Sequence, residues 1–379
     1  MTEINSWDDL NCNMDLLRGI YAYGFEQPSS IQKKAIPHLL NGRDIIAQAQ
    51  SGTGKTGAFT IGTLGQIDTT NNTIQGIVLS PTRELSKQIY NVFNDIGKMI
   101  KNIRIQLLVG GTSIEEDVHE LKSIPHIIVG CPGRINDMIR RKKIAIANTK
   151  LVVLDEADEM LSKGFKDQIY NIFRQCNEDT VQIALFSATL SNELLDMSQK
   201  LLRNPEKILV KSEALTLEGI SQAYVLLENE GNKYSTLKDL YSSFSMSQCI
   251  IYCNSLKRVI ELYDNMKNEG YPVCCLHSEQ DRDDREQAYK EFKNGKYRML
   301  ISTNITARGI DIQQVSTVIN YDVPKDAHTY LHRIGRSGRW GRKGIGITFI
   351  TSRDIKRLRD IEKYYNTTIC ELQTNFFNA

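Results

Sequence analysis

The sequence contains no long apolar run, which argues against a membrane protein. No run approaches the roughly 20 consecutive apolar residues that a membrane-spanning helix needs. The first residues, Met1-Thr2-Glu3-Ile4-Asn5, lack the basic and apolar regions of a signal peptide. We therefore expect an intracellular protein with no membrane segment.

Metal-binding and disulfide patterns are also missing. The eight cysteines form no CxxC pair and no zinc-like spacing, and the six histidines form no HExxH pattern. Several cysteines lie in apolar runs, where a reduced thiol packs as a small hydrophobic group. The cysteines are therefore expected to be structural.

An excess of one charge is missing as well. Lysine and arginine total 47 and aspartate and glutamate 45, so the formal net charge is only +2. This balance gives no independent support for nucleic-acid binding, which would need a local surface. The densest basic cluster, Arg140–Lys143, is predicted to be a solvated helix end or turn, with a nuclear-import signal as the weaker interpretation.

What is present is an alternation of short apolar runs and helix-like segments along 379 residues, a length that suits two domains. Runs that are apolar on both faces suit parallel strands covered by helices, so the pattern predicts an α/β fold with doubly wound parallel sheets. The expected strands lie near Asp44–Ala47, Ile77–Leu79, Ile105–Val109, Ile127–Val129, Leu151–Leu154, Ile183–Phe186, Cys249–Tyr252, Val273–Leu276, Met299–Ile301, Val318–Asn320 and Gly346–Phe349.

A mostly polar segment that ends at Gly219 is the best candidate for a short linker, because a new series of strands and helices follows it. The predicted organisation is an N-terminal domain over residues 1–211, a linker over 212–219 and a C-terminal domain over 220–379.

The run Ala49–Thr56 is predicted to bind phosphate, because it lies between a strand and a helix-like segment. In such a loop, backbone N–H groups at the positive end of a helix dipole face phosphate oxygens. Lys55 can reach the β- and γ-phosphates, and the Thr56 hydroxyl can coordinate Mg²⁺. Ala49 replaces the usual first glycine of the pattern. The backbone donors would come from Gly52, Thr53 and Gly54.

The run Asp155-Glu156-Ala157-Asp158 follows an apolar strand. Asp155 is placed to hold Mg²⁺, partly through water. Glu156 is placed to orient or deprotonate an attacking water molecule. Taken alone, the run would be read as a solvated acidic helix start; its place after the phosphate loop favours the catalytic interpretation.

The run His332–Arg339 contains two arginines with a candidate role in catalysis. Arg336 and Arg339 are three residues apart and would share one helix face if the segment is helical. If the second half folds over the first, they would neutralise charge that develops on the γ-phosphate. The alternative is a basic surface patch for RNA, and the two interpretations can apply to different arginines.

In this order, the motifs resemble those of the DEAD-box ATP-dependent RNA helicases, whose naming motif is Asp155–Asp158. The resemblance extends from about Trp7 to Cys370. Within the family, the chain is most similar to the initiation factor 4A subgroup, which includes the nuclear paralogue 4A-III. It implies two RecA-like doubly wound domains joined by a short linker, and an enzyme that hydrolyses ATP with Mg²⁺ as cofactor. The implied catalytic residues are Lys55, Asp155, Glu156, Arg336 and Arg339.

The resemblance also implies an adenine site in the run Gly24–Gln32, which is similar to the family's Q motif. Phe25 would stack on the base, Gln27 would contribute to ATP binding, and the Gln32 amide would both donate to and accept from the adenine edge. Trp7, where the family usually has Phe, would brace this pocket.

Three further groups of residues take their roles from the resemblance. Asp311 would bind the ribose. Ser187, Thr189 and His332 would couple hydrolysis to the RNA side. Glycine amides, hydroxyls and arginines would contact the RNA backbone without reading its sequence. These RNA-binding candidates are Pro81, Thr82, Arg83, Gly110, Gly111, Pro132, Gly133, Arg134, Asn254 and Thr303.

The implied function is an RNA-stimulated ATPase that unwinds short RNA duplexes and prepares mRNA for ribosome binding. The implied setting is the cytoplasm, with the nucleus as the alternative. A monomer is expected, with single-stranded RNA or mRNA, ATP and a scaffold similar to factor 4G as partners. An ATP-locked RNA clamp with slow turnover, as in factor 4A-III, carries the same motifs and stays open. A processive translocase is disfavoured by the Q motif.

The chain departs from the family pattern at a few positions. Cys131 replaces the usual Thr, Arg282 replaces Gln, Ser278-Glu279 replaces Gly-Asp, and Asn304 replaces Asp. The first change exchanges a hydroxyl for a weak thiol donor, and the last removes a carboxylate. None falls on the predicted catalytic residues. ATP hydrolysis is therefore predicted to be retained, with RNA affinity or coupling altered.

Overall fold

The computed structural model describes residues 3–49, 53–209, 220–243, 248–304, 315–337 and 344–373. Contacts between Cα atoms divide the chain into two units, Met1–Lys211 and Ser212–Ala379. The proposed linker over residues 212–219 lies outside the described residues, so the domain limits stay a prediction.

Unit 1 begins with a 3-10 helix, Trp7–Asp9, and a second one, Leu121–Ser123, follows α5. The other elements of unit 1 are α1 Met14–Ala22, α2 Ser30–Leu40, β1 Ile45–Gln48, α3 Lys55–Leu64, β2 Gly76–Leu79, α4 Arg83–Gly97, β3 Ile105–Leu108, α5 Ile114–Glu120, β4 Ile127–Gly130, α6 Pro132–Arg140, β5 Leu151–Asp155, α7 Ala157–Ser162, α8 Lys166–Phe173, β6 Gln182–Ser187, α9 Asn192–Leu201 and β7 Glu206–Leu209.

Unit 2 repeats the alternation of strands and helices. Its described elements are β8 Ile220–Leu226, α10 Asn232–Ser243, β9 Cys249–Tyr252, α11 Leu256–Asn268, β10 Val273–Leu276, α12 Arg282–Lys293, β11 Met299–Ser302, β12 Thr317–Asn320, α13 Ala327–Ile334, β13 Gly344–Ile350, α14 Ile355–Tyr365 and β14 Cys370–Glu371. Within the described ranges, no helix is both long and apolar enough to cross a membrane.

The described strands of each unit form one seven-stranded sheet, and all paired strands run parallel. The strand order is β3-β4-β2-β5-β6-β1-β7 in unit 1 and β10-β11-β9-β12-β13-β8-β14 in unit 2. Numbered from the start of each unit, the two orders are identical. The predicted fold of two RecA-like doubly wound parallel sheets is confirmed.

Successive side chains of the central strands face opposite sides of the sheet. In unit 1, Val78 and Val153 belong to a core shared with helices α1 to α4. Ile77 and Val152 belong to a second core, shared with α6 to α9. Burial on both faces explains why these strands are continuous apolar runs in the sequence.

The parallel arrangement places the functional candidates at the carboxyl edge of each sheet. In unit 1, the adjacent strands β3, β4 and β2 end beside the predicted RNA contacts, whereas β5, β6 and β1 end beside the predicted nucleotide and coupling residues. The two sets of candidates therefore lie on different parts of one edge. In unit 2, β10, β11 and β9 occupy the places that β3, β4 and β2 occupy in unit 1.

All the expected strands are present, but β7, β8 and β14 were not expected. Strand β7 lies at the edge of its sheet and is exposed at Lys207 and Leu209, and β14 is an edge strand of two residues. Strand β8 includes the polar residues Ser221 and Gln222. A continuous apolar run indicates a strand that is buried on both faces, so exposed, short or partly polar strands such as these are not detected by it.

The cysteines and the basic cluster lie where their sequence context predicts. All eight cysteines are free thiols, and five of them are buried, as a packing role requires; for the other three the structural interpretation stays a prediction. Helix α6 ends at Arg140, and Arg140–Lys143 are exposed, so the basic cluster is a solvated helix end. Basic side chains at this end complement the helix dipole.

Candidate functional site

The phosphate loop leads into helix α3 through a glycine that cannot be replaced without strain. Gly54 has a left-handed backbone with φ +100°, and a Cβ atom there would lie 2.8 Å from Gln32 Nε2. Lys55, the first residue of α3, is only 5% exposed, and its Nζ has no hydrogen-bond partner within the described residues. A buried ammonium at a helix N-terminus is suited to bind an anion.

Asp155 and Glu156 approach Lys55 from the end of β5. Asp155 is buried, and its Oδ1 accepts a hydrogen bond from the Glu156 N–H at 3.0 Å. Glu156 has a left-handed backbone with φ 52° and ψ 49°, which costs a residue with a side chain roughly 1–2 kcal/mol. Its Oε1 lies 3.7 Å from Lys55 Nζ. The strained turn thus directs the glutamate toward the lysine.

The charges of this group are not balanced, because two buried carboxylates face one buried ammonium. Burial raises the pKa of Asp155 to about 7, although the Lys55 ammonium opposes the shift. A divalent cation would compensate the excess negative charge and favour the ionised carboxylate. Asp155 and the half-buried Thr56 next to Lys55 therefore fit the predicted Mg²⁺ ligands.

Gln32 connects the predicted adenine site to the phosphate loop. Its Nε2 donates to the Gly54 carbonyl at 3.1 Å, and its Oε1 accepts from the Ser29 N–H at 2.8 Å. An amide nitrogen has a second N–H and an amide oxygen a second lone pair. Gln32 can therefore hold the loop and contact an adenine edge at the same time.

Phe25 is supported by two other aromatic rings. It stacks on Trp7 with ring centroids 6.0 Å apart and an interplanar angle of 19°, and Tyr23 meets it edge-on at 4.8 Å. Trp7 is fully buried, Phe25 is half-buried and Gln27 is exposed. The aromatic group therefore holds Phe25 in place while part of its ring stays accessible for stacking.

The predicted coupling residues of unit 1 contact the acidic motif directly. Thr189 Oγ1 donates to Asp158 Oδ2 at 2.6 Å, and Ser187 Oγ donates to the Thr189 carbonyl at 2.7 Å. The Ala49 N–H donates to the Ser187 carbonyl at 3.1 Å. These hydrogen bonds connect the end of β6 with both the phosphate loop and helix α7.

The candidate RNA contacts of unit 1 include a close approach of an arginine to a glycine pair. Arg83 is exposed at the start of α4, and a Cβ atom on Gly111, whose φ is +85°, would lie 2.3 Å from Arg83 Nη1. Thr82 Oγ1 accepts from the Leu85 N–H at 3.2 Å and caps this helix. Pro81 is buried and Gly110 half-buried beside them.

Arg134 is largely occupied by contacts within the protein. It forms a buried ion pair with Asp117, its Nη1 donates to Thr112 Oγ1 at 3.0 Å, and its Nη2 donates to the Thr112 carbonyl at 2.9 Å. Arg134 thus holds the loop after Gly111 against α6, whose first turn contains the buried Pro132 and the exposed Gly133. Its direct contact with RNA stays a prediction.

Cys131 occupies the N-cap position of α6 without making a cap hydrogen bond. Its Sγ lies 3.5 Å from Ser86 Oγ, and burial raises the pKa of the thiol. The thiol is therefore a weakly interacting group at a position where a hydroxyl would cap the helix.

In unit 2 a buried carboxylate lies just beyond the end of β12. Asp322 Oδ1 accepts from Lys233 Nζ at 3.1 Å and pairs with Arg258, and its Oδ2 accepts from the Asn254 N–H at 2.9 Å. Burial alone would raise the pKa of Asp322, but the Asn254 N–H and the two cations hold it below its usual value.

Arg333 in α13 is fully buried and joins the ends of three strands. Its Nη2 donates to Asn254 Oδ1 at 2.7 Å, its Nε to Asn304 Oδ1 at 2.8 Å, and its Nη1 to the Asp322 carbonyl at 2.9 Å and Asn320 Oδ1 at 3.3 Å. Burial lowers the pKa of Arg333 to about 10, so the guanidinium stays charged at neutral pH.

The remaining candidates are only partly described. Gly52, Asp311 and Arg339 lie outside the described residues. His332 is buried in α13, and the buried Arg336 follows that helix in a turn, so the expected helical spacing does not extend to it. Thr53 and Thr303 are half-buried.

Several residues of these groups were not singled out in the sequence. Asp158 and Arg333 lie inside runs that were noticed, but Asp117, Lys233 and Asp322 carried no local signal. Lys233 and Asp322 are 89 positions apart, and an ion pair between distant residues leaves no periodicity or motif to detect.

Two family models match the chain, the DEAD/DEAH box helicase model over residues 29–197 and the helicase conserved C-terminal domain model over residues 232–341. The chain belongs to the DEAD/DEAH box helicase family. It is an ATP-hydrolysing RNA helicase that binds ATP and RNA and is similar to initiation factor 4A.

Individual relatives resemble the helicase over nearly its full length. Eukaryotic initiation factor 4A of Caenorhabditis elegans is 48% identical over 97% of this chain and 91% of its own. ATP-dependent RNA helicase FAL1 of Scheffersomyces stipitis is 48% identical over 98% and 92%. The solved structure of S. cerevisiae Dbp5 bound to RNA and ADP BeF3 is 36% identical, with a TM-score of 0.91 over 99% of this chain and 97% of that one.

Proposed function

We propose that unit 1 hydrolyses ATP at the carboxyl ends of β1 and β5, with Lys55 binding the phosphates and Glu156 activating the attacking water. The observation that supports this assignment is the buried group of Lys55, Asp155 and Glu156, in which two carboxylates face one ammonium. Phe25, Gln27 and Gln32 bind the adenine in this proposal. The roles of Asp311, Arg336 and Arg339 remain predictions from sequence.

Mg²⁺ is proposed as the cofactor that accompanies ATP. Asp155 and Thr56 would hold it, because they lie beside Lys55 and supply the oxygen ligands that Mg²⁺ prefers. When bound, the ion neutralises phosphate charge. The residues of the chain then have separate tasks: Gly54 and Lys55 orient the phosphates, and Glu156 holds the water and takes its proton.

We propose that the carboxyl ends of β3, β4 and β2 in unit 1 and of β10, β11 and β9 in unit 2 contact the RNA backbone. Thr82, Arg83 and the exposed Gly111 supply hydroxyl, guanidinium and backbone donors in unit 1. Asn254 and Thr303 supply the contacts of unit 2. Coupling between ATP and RNA is proposed to pass through Thr189 and Asp158, because their hydrogen bond joins the end of β6 to the acidic motif after β5. Ser187 and His332 support this coupling in the proposal.

The proposed biological role is the preparation of mRNA for ribosome binding during translation initiation. The similarity to proteins named initiation factor 4A supports this role. A cytoplasmic monomer that works with a scaffold similar to factor 4G completes the proposal. Nothing in the fold or in these relatives favours a slow-turnover clamp over a cycling helicase.

The test is the steady-state ATPase activity of the full chain with and without single-stranded RNA. Glu156→Gln removes the proposed base while keeping the shape of the side chain. We expect turnover to fall about 100-fold or more, with binding of ATP and RNA retained. The exposed Glu178→Gln makes the same chemical change away from the site and should match the wild type.

Normal turnover in Glu156→Gln would reject the base assignment. Turnover in the wild type that does not respond to RNA would reject the proposed coupling. Loss of nucleotide binding in Glu156→Gln would mean that the residue shapes the site rather than activates water.

A further inference from the structure

Asn304 lies at an edge of unit 2 where a ligand is expected. It follows β11, which has the same place in its sheet as β4 has in unit 1, and β4 ends at candidate RNA contacts. Ligands of parallel α/β sheets bind outside the carboxyl ends of the strands. Asn304 stands where the family pattern has a carboxylate.

The orientation of the Asn304 amide is set by Arg333. Asn304 Oδ1 accepts from Arg333 Nε at 2.8 Å, and a guanidinium has donors but no acceptor, so the amide oxygen and not the nitrogen must face it. Asn304 is exposed, and its Nδ2 has no hydrogen-bond partner within the described residues. Among the described residues, both N–H groups of Nδ2 are therefore open to a ligand with acceptor oxygens.

The surroundings of Asn304 favour an anion. Arg333 is fully buried, and its hydrogen bonds within the described residues go to neutral oxygens of three asparagines and one backbone carbonyl. The nearby Asp322 carboxylate is already paired with Lys233 and Arg258. The positive charge of Arg333 is thus not cancelled by a carboxylate of its own, and it attracts negative charge to the adjacent surface.

We propose that Asn304 binds a phosphodiester oxygen of the RNA through Nδ2, and that Arg333 is the positioning residue that fixes the amide. This inference rests on the proposed RNA contact of unit 2. An aspartate at position 304 would still accept from Arg333 but would direct a second carboxylate oxygen at the phosphate. The amide is therefore a gained donor in this chain.

The test compares the RNA affinities of wild type, Asn304→Asp and Asn304→Ala. Binding of a labelled single-stranded oligouridylate to the full chain is measured by anisotropy with a non-hydrolysable ATP analogue. If Nδ2 donates to phosphate, we expect affinity to fall about threefold in Asn304→Ala and about tenfold in Asn304→Asp. The loss of RNA affinity in Asn304→Asp should become smaller as the salt concentration is raised, because salt screens the repulsion between the aspartate and the phosphate.

A purely structural role of Asn304 predicts the opposite order of RNA affinity for the two variants. If Asn304 only supports Arg333, then Asn304→Asp, which keeps an acceptor, binds RNA like the wild type, and Asn304→Ala is the weaker. That order would overturn the proposal. Thermal unfolding separates the two effects, because the aspartate can pair with Arg333 and should leave the melting temperature equal or higher.

Two further variants complete the design. Asn265→Asp makes the same charge change at an exposed site near the end of α11, at the opposite edge of the sheet, and should leave RNA affinity unchanged. Arg333→Lys removes the Nε donor, so Asn304→Ala should reduce RNA affinity less in the Arg333→Lys protein than in the wild type. An equal reduction in the two proteins would reject the positioning role. If the wild type itself fails to bind RNA, the proposed function fails instead.

Discussion

The carboxyl ends of β5 and β12 occupy equivalent places in two sheets of identical strand order, and each carries a buried carboxylate near a buried lysine. In unit 1, Lys55 Nζ is 3.7 Å from Glu156, and burial raises the pKa of Asp155 to about 7. In unit 2, Lys233 bonds Asp322 at 3.1 Å, and the pKa of Asp322 is lowered. The carboxylate of the second site is thus stabilised in its ionised form by protein groups, whereas burial disfavours the ionised form of Asp155 in the first.

The loops that precede the two lysines explain part of this difference. Lys55 follows a glycine loop with backbone N–H donors, whereas Lys233 follows an acidic loop in which Glu230 Oε2 lies 3.0 Å from its Nζ. The same topology therefore supports a ligand site in one unit and an internal ion-pair network in the other. Function resides in the side chains at the strand ends, not in the sheet.

The largest expected effect comes from breaking the neutralised site. Asp322→Asn leaves Lys233 and Arg258 without their buried partner, so we expect unit 2 to lose about 3 kcal/mol of unfolding free energy. Hydrogen exchange of the β9 and β12 peptides in the full chain should accelerate, while exchange of β1 and β5 should not change. The exposed Asp239→Asn on α10 is the matched control.

The pH dependence gives this prediction a sign. Because the folded pKa of Asp322 is lowered, its stabilisation is present above the ordinary carboxyl pKa near 4 and is lost as the pH falls. The difference between wild type and Asp322→Asn should therefore shrink toward pH 3. A difference that stays constant with pH would show that the carboxylate is not what stabilises unit 2.

The opposite effect on stability is expected at the ligand site. Asp155→Asn should remove ATPase activity, yet it should raise the unfolding free energy of ligand-free protein by about 1–2 kcal/mol, because it removes one of two buried like charges. The folded pKa of Asp155 is raised to about 7, so wild-type stability falls as the pH rises from about 4 through 7. The difference in unfolding free energy between Asp155→Asn and the wild type should therefore increase from about pH 4 to pH 7.

Denaturation by urea at several pH values checks this expectation for the full chain. A variant that is less stable than the wild type at pH 8 would contradict it and would remove the contrast with Asp322. Addition of ATP with Mg²⁺ should reverse the order of stability, because only the wild type binds the ion well.

The smallest expected effect compares the ends of β4 and β11, where Cys131 and Thr303 occupy equivalent positions. Cys131→Thr supplies the missing N-cap of α6, so we expect unit 1 to gain about 0.5–1 kcal/mol and RNA affinity to rise about twofold. Thr303→Cys should weaken RNA binding by a similar factor. Thermal unfolding measures the change in stability, and anisotropy measures the change in RNA affinity. An unchanged affinity in both variants would show that these positions do not contribute to RNA binding.

Much of this organisation was predictable because it is local in sequence. The apolar runs predicted the central strands, since both faces of a strand such as β5 are buried. The phosphate loop, Asp155 and Glu156 were found because their chemistry requires fixed residue types next to strand ends. Strand β7 was not found, because an exposed edge strand has no continuous apolar run.

The sequence by itself determined the alternation of strands and helices and the identity of the short motifs, since both depend on residues close together in the chain. Only the tertiary structure decided which distant charges meet. It brought Lys233 to Asp322, Arg134 to Asp117 and Arg333 to Asn304, because parallel strands with crossover helices bring residues far apart in sequence to one edge. Whether a buried lysine is neutralised or left for a ligand follows from that juxtaposition, which no local pattern records.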